Sequence, residues 1–353
     1  MRAINFGNAG RGSSALSSTR NIFMARENIA NFFGIENSSN LAFTSNSTES
    51  LNIAIKGLFN EKDHIITTVL EHNSVLRPVY EIEKKGVEVS IIGADEKGNL
   101  LYDEILNNIK ENTKAIICTH ASNLTGNLIN IGKISKICRE HNLLFVLDAS
   151  QTAGVYDIDV VRDGIDVLCF TGHKSLFGVQ GIGGIYVRDG IEIRPLKSGG
   201  TGIKTYSKVQ PKIMPTLLEA GTLNSLGIMG LSAGIDFIKD IGIDKIRNHE
   251  IFLMEKLYKG IKDIENIKIY GDFTKDRSPV IAFNIGDYGS NDVAEILSEN
   301  FEIASRAGGH CAPLMHKHFG TENQGMVRLS IGYFNTEQEV ETAIDAIKAI
   351  AKM

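Results

Sequence analysis

KAIICTHASNLTGNLINIGKISKICREHNLLFVLDASQTAG, residues 114–154, decides the fold. It opens on an apolar, β-branched run, KAIICT (114–119), and closes on another, LLFVLD (143–148). Between them, INIGKISKICREHN (129–142) sets Ile131, Ile134, Ile137 and Cys138 at the i, i+3, i+6, i+7 spacing of one buried helix face. Two continuously apolar strands joined by an amphipathic helix predict a parallel pair in a sheet covered on both faces. The alternation extends outward on both sides. HIITTV (64–69), VEVSII (87–92), DVLCFT (166–171) and GGIYV (183–187) read as strands, and 49–59, 73–86 and 101–112 as amphipathic helices. The fold class is therefore α/β with a mainly parallel sheet.

A chain of 353 residues exceeds what one hydrophobic core usually supports, so two domains are expected. From about residue 230 the texture changes. A long helical stretch (232–264) precedes two strands, SPVIAFNI (278–285) and MVRLSI (326–331), and a last helix (337–353) closes the chain. This predicts a large domain over 1–225 and a smaller α+β domain with antiparallel strands over 226–353. Residues 194–225 lack periodicity and read as a long functional loop. The net charge is −5 with no Lys/Arg block, which speaks against nucleic acid as a partner. No apolar run approaches the roughly 18 residues of a membrane helix, and no secretory h-region opens the chain, so a cytoplasmic protein is expected. Of the four cysteines, Cys118, Cys138 and Cys169 sit in apolar strand or helix patterns and read as core. Cys311 stands apart in the glycine-rich SRAGGHCAPL (305–314). It reads as chance, metal ligand, half-buried thiol or nucleophile. A metal reading would use His310, Cys311, His316 and His318, but the spacing of known zinc motifs is missing, and no metal is expected.

The strand ends carry the chemistry. Asp148 ends an apolar strand and Gln151 follows; a carboxylate there must be paired, with a protonated heterocycle or a metal as partner. In FTSNSTESLNIAIKG (43–57), Asn46 and Glu49 suggest a variant capping box. Ser47, Thr48 and the free N–H groups of that first turn could cradle a phosphate, or simply begin a helix. TGHKSLFG (171–178) puts Thr171, His173 and Lys174 after a strand; alone, it reads as well as a turn. EHNSVLRP (71–78) and HASNLTGN (120–127) bring His72 and Asn123 to two more strand ends. A phosphate cradle, a carboxylate, an imidazole, an amide and a lysine together make the set that pyridoxal phosphate needs.

The segments E-H-N-S-V-L-R-P, H-A-S-N-x-T-G, D-A-x-Q-T-A-G, T-G-H-K, E-A-G-T-L-N and R-x-G-x-H-C-A-P occur here in the order found in the cysteine desulfurases of the class V aminotransferase fold, and the sequence resembles that family along nearly its whole length. The resemblance implies a pyridoxal-phosphate enzyme that takes sulfur from L-cysteine as a persulfide and releases L-alanine. Lys174 would hold the cofactor as a Schiff base and move protons. Asp148 would pair with the ring nitrogen, Gln151 with the ring hydroxyl, and His72 would stack on the ring. Ser47, Thr48, Thr171 and His173 would hold the phosphate, with Thr222 reaching in from a second subunit of a homodimer. Asn123, Arg328 and Arg306 would bind the substrate carboxylate. Cys311, activated by neighbours such as His310, would attack the substrate sulfur from a mobile loop and pass it to an acceptor protein, as in iron–sulfur cluster assembly. A class V aminotransferase, a selenocysteine lyase or an inert cofactor-binding relative are the alternatives. GNAGRGSSALSSTR (7–20) matches a segment that comes later in family members, so roughly 20 to 30 residues of the usual start are expected to be absent. That would leave part of the substrate pocket open or otherwise supplied, with weaker activity.

Overall fold

The structure, a computed structural model, describes residues 13–353; the G-N-A-G-R-G stretch (7–12) lies outside them. Elements follow as α1 (Ser13–Phe32), β1 (Leu41–Thr44), α2 (Ser47–Leu58), β2 (His64–Thr68), α3 (Asn73–Glu83), β3 (Glu88–Ile92), α4 (Tyr102–Asn107), β4 (Thr113–Thr119), α5 (Ile131–Glu140) and β5 (Leu144–Asp148). Then come β6 (Val167–Thr171), β7 (Gly183–Val187), α6 (Ser225–Ile241), α7 (Ile243–Ile261), β8 (Ile267–Tyr270), β9 (Val280–Ile285), α8 (Ser290–Phe301), α9 (Pro313–Phe319), β10 (Val327–Ser330) and α10 (Glu337–Ile350). Seven strands form one sheet in the order β1-β7-β6-β5-β4-β2-β3. β5 runs parallel to β6, and β2 parallel to both β3 and β4, while β7 and β1 are antiparallel additions. The mainly parallel α/β sheet read from residues 114–154 is observed. Ile134, Ile137 and Cys138 of α5 are buried as the spacing requires, and Ile131 is half-buried.

The chain divides into two compact units, each built from two stretches of sequence: residues up to Phe59 with Leu144–Gly242, and Asn60–Leu143 with Ile243–Met353. In the first unit, β5, β6 and β7 are buried almost throughout, and α2 packs on β6 and β7. Phe33 after α1 meets Phe170 of β6 at 4.8 Å between ring centres. Residues 188–224 contain no helix or strand, as their lack of periodicity predicts.

The second unit holds β2, β3 and β4 with α3 and α5, and a separate antiparallel sheet in the order β10-β9-β8. Ile281, Phe283 and Ile285 alternate along β9 and enter a core with Leu253 and Leu257 of α7, Leu297 of α8 and Ile347 of α10. Side chains alternate across a strand, so Ala282 and its cross-strand neighbour Arg328 point to the opposite face. That alternation delivers a basic side chain to the functional region of this unit. Cys118, Cys138 and Cys169 are buried and Cys311 is half-exposed, all four as free thiols.

Candidate functional site

In the first unit the candidate residues gather at the ends of β5 and β6 and the start of α2. Asp148, last residue of β5, is 3% exposed. One carboxylate oxygen accepts the Ser150 N–H (3.0 Å), the Ser150 hydroxyl (2.5 Å) and the Ser47 hydroxyl (3.3 Å). Among the described residues no cation reaches it. A buried carboxylate given only neutral donors is left wanting a positive partner. Asn46 caps α2 by accepting the Glu49 N–H at 3.0 Å, as read from sequence. The reciprocal bond is displaced: Glu49 takes the N–H of Ser45 (2.7 Å), not of Asn46, and ion-pairs with Lys197. That leaves Ser47 and Thr48 at the first turn of a twelve-residue helix, whose N–H groups and dipole favour an anion.

Lys174 and His173 are exposed in the turn after β6, and Thr171 Oγ1 lies 2.9 Å from His173 Nδ1. Partial desolvation, then the Lys174 charge, push the His173 ring below its ordinary pKa. The turn rests on Gly154, whose φ is +94°; a Cβ there would stand 2.0 Å from the Ser175 carbonyl. The last residue of D-A-S-Q-T-A-G is thus fixed by the chain that carries Lys174. Gln151 is half-buried three residues beyond Asp148, and Thr222 is exposed in the aperiodic segment.

In the second unit a different set converges. His72 caps α3: its Nδ1 accepts the Ser74 N–H at 3.0 Å. A neutral ring so bonded carries its proton on Nε2. Glu71, fully buried, takes the Thr68 hydroxyl (2.6 Å) and the Thr119 N–H (3.1 Å), tying the ends of β2 and β4 together. Sequence reasoning missed this role, although the residue sits inside a quoted motif. Asn123, 5% exposed, donates Nδ2 to the His310 carbonyl at 2.7 Å. Arg328 donates Nη1 to the Asn123 carbonyl at 2.7 Å, and its backbone pairs in both directions with that of Arg306. Burial, then the Arg306 charge, lower the Arg328 guanidinium to about 10, which still leaves it cationic at neutral pH. Arg306 Nη2 lies 3.9 Å from Cys311 Sγ. Neither arginine ion-pairs with a carboxylate among the described residues, and a guanidinium pair of this kind suits a carboxylate ligand.

The Cys311 mount is braced. Asn73 donates its N–H to the Cys311 carbonyl (2.7 Å), Ala312 to that of Gly309 (2.9 Å), and His310 gives Nε2–H to the Met326 carbonyl (2.9 Å). His310 and Cys311 both hold positive φ, +49° and +57°. Such strain in non-glycine residues persists only where the surroundings over-determine it. The loop expected from the glycines thus carries backbone hydrogen bonds on both sides of its cysteine. Burial, more than the nearby charges, pushes the His310 ring down to about 4, so it stands neutral beside the thiol. The cation beside the sulfur is Arg306. His310 and His316 stack 6.0 Å apart, while His318 turns to the Asp95 carbonyl. No group of three or more potential metal ligands gathers among the described residues.

Residues 4–342 match the family model described as aminotransferase class-V. The chain belongs to that family. Within it, the chain is 35% identical to a probable cysteine desulfurase of Methanothermobacter thermautotrophicus, over 98% of its own length and 88% of the relative. It is 36% identical to a probable cysteine desulfurase of Pyrococcus abyssi, over 98% and 87%. A solved cysteine desulfurase of Thermococcus onnurineus superposes with a TM-score of 0.92 at 32% identity, covering 98% of this chain and 87% of that one. The family resemblance read from the six motifs therefore stands, and with it the class V fold.

Proposed function

We propose that this chain is a pyridoxal-phosphate-dependent cysteine desulfurase that takes sulfur from L-cysteine onto Cys311 and releases L-alanine. The observation that carries the reading is a half-exposed thiol on a strained, braced turn with a guanidinium 3.9 Å from its sulfur. The cofactor fits on chemical grounds. Asp148 is a buried carboxylate met by neutral serine and backbone donors, chemistry that suits a protonated ring nitrogen, and the start of α2 suits a phosphate. When bound, pyridoxal phosphate supplies an electron sink that weakens the bonds around the substrate's α- and β-carbons.

The residues do the rest. Asp148 would keep the proton on the ring nitrogen, and Gln151 would orient the ring hydroxyl. Ser47, Thr48, Thr171 and His173 would hold the phosphate, with Thr222 supplied by a second copy of the chain. His72 would stack on the ring. Arg328, Arg306 and Asn123 receive the substrate carboxylate. Lys174 Nζ removes and returns protons. As the carbon–sulfur bond breaks, Cys311 Sγ forms the sulfur–sulfur bond and becomes a persulfide; the bonding pair stays with carbon, which is protonated and leaves in alanine. In this reading residues 226–353 form the small domain carrying the nucleophile. The exposed Phe23, Met24, Leu226 and Met229 of α1 and α6 make the face of a homodimer. No helix of the described residues is long and apolar enough to cross a membrane. The reading extends to a cytoplasmic enzyme serving a sulfur-acceptor protein, in iron–sulfur cluster assembly.

An aminotransferase has no use for Cys311, so that residue gives the test. After incubation with L-cysteine, mass spectrometry should find one extra sulfur on the Cys311 peptide, and Cys311→Ser should end alanine production while leaving cofactor binding intact. Full alanine output from the serine variant would refute the assignment.

A further inference from the structure

Among the described residues β1 is the edge strand of the sheet, pairing with β7 on one side only. On its other side the Leu41 carbonyl and the Phe43 N–H, two residues apart, point where a further strand would lie. Two side chains take that strand's place. Glu219 Oε1 accepts the Phe43 N–H at 2.7 Å, and Arg26 Nη1 donates to the Leu41 carbonyl at 2.5 Å. The pair is bidentate, with Nη1 to Oε1 at 2.7 Å and Nη2 to Oε2 at 3.0 Å. The Arg26 guanidinium also lies 4.4 Å over the Phe43 ring. The two side chains are 8% and 7% exposed. Burying both charges is costly unless the geometry is good and the remaining polar atoms are met, and here the edge of the sheet meets them.

Glu219 begins E-A-G-T-L-N, inside a segment with no helix or strand of its own. Three residues on stands the exposed Thr222, within about 10 Å of chain from the clamp. Beyond it Asn224 caps α6, accepting the Gly227 N–H (3.0 Å) and donating to the Gly181 carbonyl (3.1 Å). Gly221, at φ +93°, makes the turn between them and donates to the Gly200 carbonyl at 2.8 Å. Thr222 is thus an exposed hydroxyl held from both sides by groups that are themselves fixed.

We propose that Arg26 and Glu219 are a positioning pair, pinning residues 219–224 to the sheet edge so that Thr222 meets a cofactor phosphate. The inference rests on the reading of Thr222 as a phosphate contact, and the experiment separates the two. Wild type, Glu219→Gln, Arg26→Lys and Thr222→Ala are compared by hydrogen exchange over 216–223 and by titration with pyridoxal phosphate and with pyridoxal, which lacks the phosphate. Arg26→Lys keeps the charge but loses the fork, and it carries the test if Glu219→Gln fails to fold. Each clamp variant should exchange faster in that segment and lose roughly tenfold in affinity for pyridoxal phosphate, with pyridoxal unchanged. Thr222→Ala should show the same affinity loss with wild-type exchange. Unchanged exchange in the clamp variants overturns the proposal. So does faster exchange with the phosphate preference intact where Thr222→Ala abolishes it. If Thr222→Ala itself keeps the preference, the Thr222 assignment falls and takes the positioning role with it, whatever the exchange shows.

Discussion

His310 keeps its ring 2% exposed, gives Nε2–H to the Met326 carbonyl and leaves Nδ1 without a hydrogen-bond partner, an arrangement that suits a neutral imidazole. Burial is the main cause of its low pKa, with Arg328, Arg306 and His316 adding repulsion. The sign follows from proton counts. Between about 6.5 in the unfolded chain and about 4 in the folded one, only the unfolded chain binds the proton. Stability therefore falls as pH drops through that window, by up to about 3 kcal/mol. His310→Gln should flatten that slope, seen as urea midpoints at pH 7 and pH 5 that lie closer together than in wild type. An equal spacing would mean that His310 titrates normally. At this scale the sequence named Asp148, Lys174 and Asn123, because ligand chemistry needs particular residue types at strand ends; Arg328, inside β10, came only through the family resemblance. It had no means of showing that the histidine beside the thiol is desolvated, or that Arg306 is the charge beside the sulfur. The first depends on Met326, 16 positions on; the second is a contact between residues five apart, set by the pairing of Arg306 with Arg328 of β10.

Among elements, α2 and the turn after β6 have the most consequence. α2 was legible in detail, since Asn46 at its start and the apolar spacing of Leu51, Ile53, Ala54 and Ile55 follow from local rules. β1 was not read as a strand, because LAFT is four residues long and is defined by its partner β7, about 140 positions away. α9 likewise is too short to show a period. The turn that holds Lys174 depends on a long-range packing condition at Gly154. Gly154→Ala meets both a positive φ and the Ser175 carbonyl, so it should cost more than the ~1 kcal/mol of an ordinary φ > 0 substitution. The displacement falls on the Lys174 turn. The variant should therefore lose the cofactor's absorbance band in visible light before it loses its far-ultraviolet dichroism on heating. A variant that keeps wild-type cofactor absorbance and melting temperature would contradict the packing argument.

For the whole molecule, the decisive quantity is the number of chains per site. The apolar side chains that α1 and α6 expose belong to the same unit as Asp148, Lys174 and Thr222, and scattered apolar exposure needs no explanation unless it gathers on neighbouring elements. Phe23 and Met24 are more than half exposed, and Leu226 reaches 84% two residues after the Asn224 cap. If a second copy covers this face and contributes Thr222, cofactor binding and dimerisation are linked: each must strengthen the other by the same factor. Sedimentation of the 38.6 kDa chain should then give a dimer whose dissociation constant falls when pyridoxal phosphate is added. Leu226→Asp should weaken the dimer, because a carboxylate cannot be buried there without a partner. At protein concentrations where the variant is monomeric, its pyridoxal phosphate affinity should match that of Thr222→Ala and recover as concentration rises. A monomer of the wild-type chain that binds the cofactor with an affinity independent of protein concentration would remove the second copy from the site, and Thr222 would then have to act within its own chain.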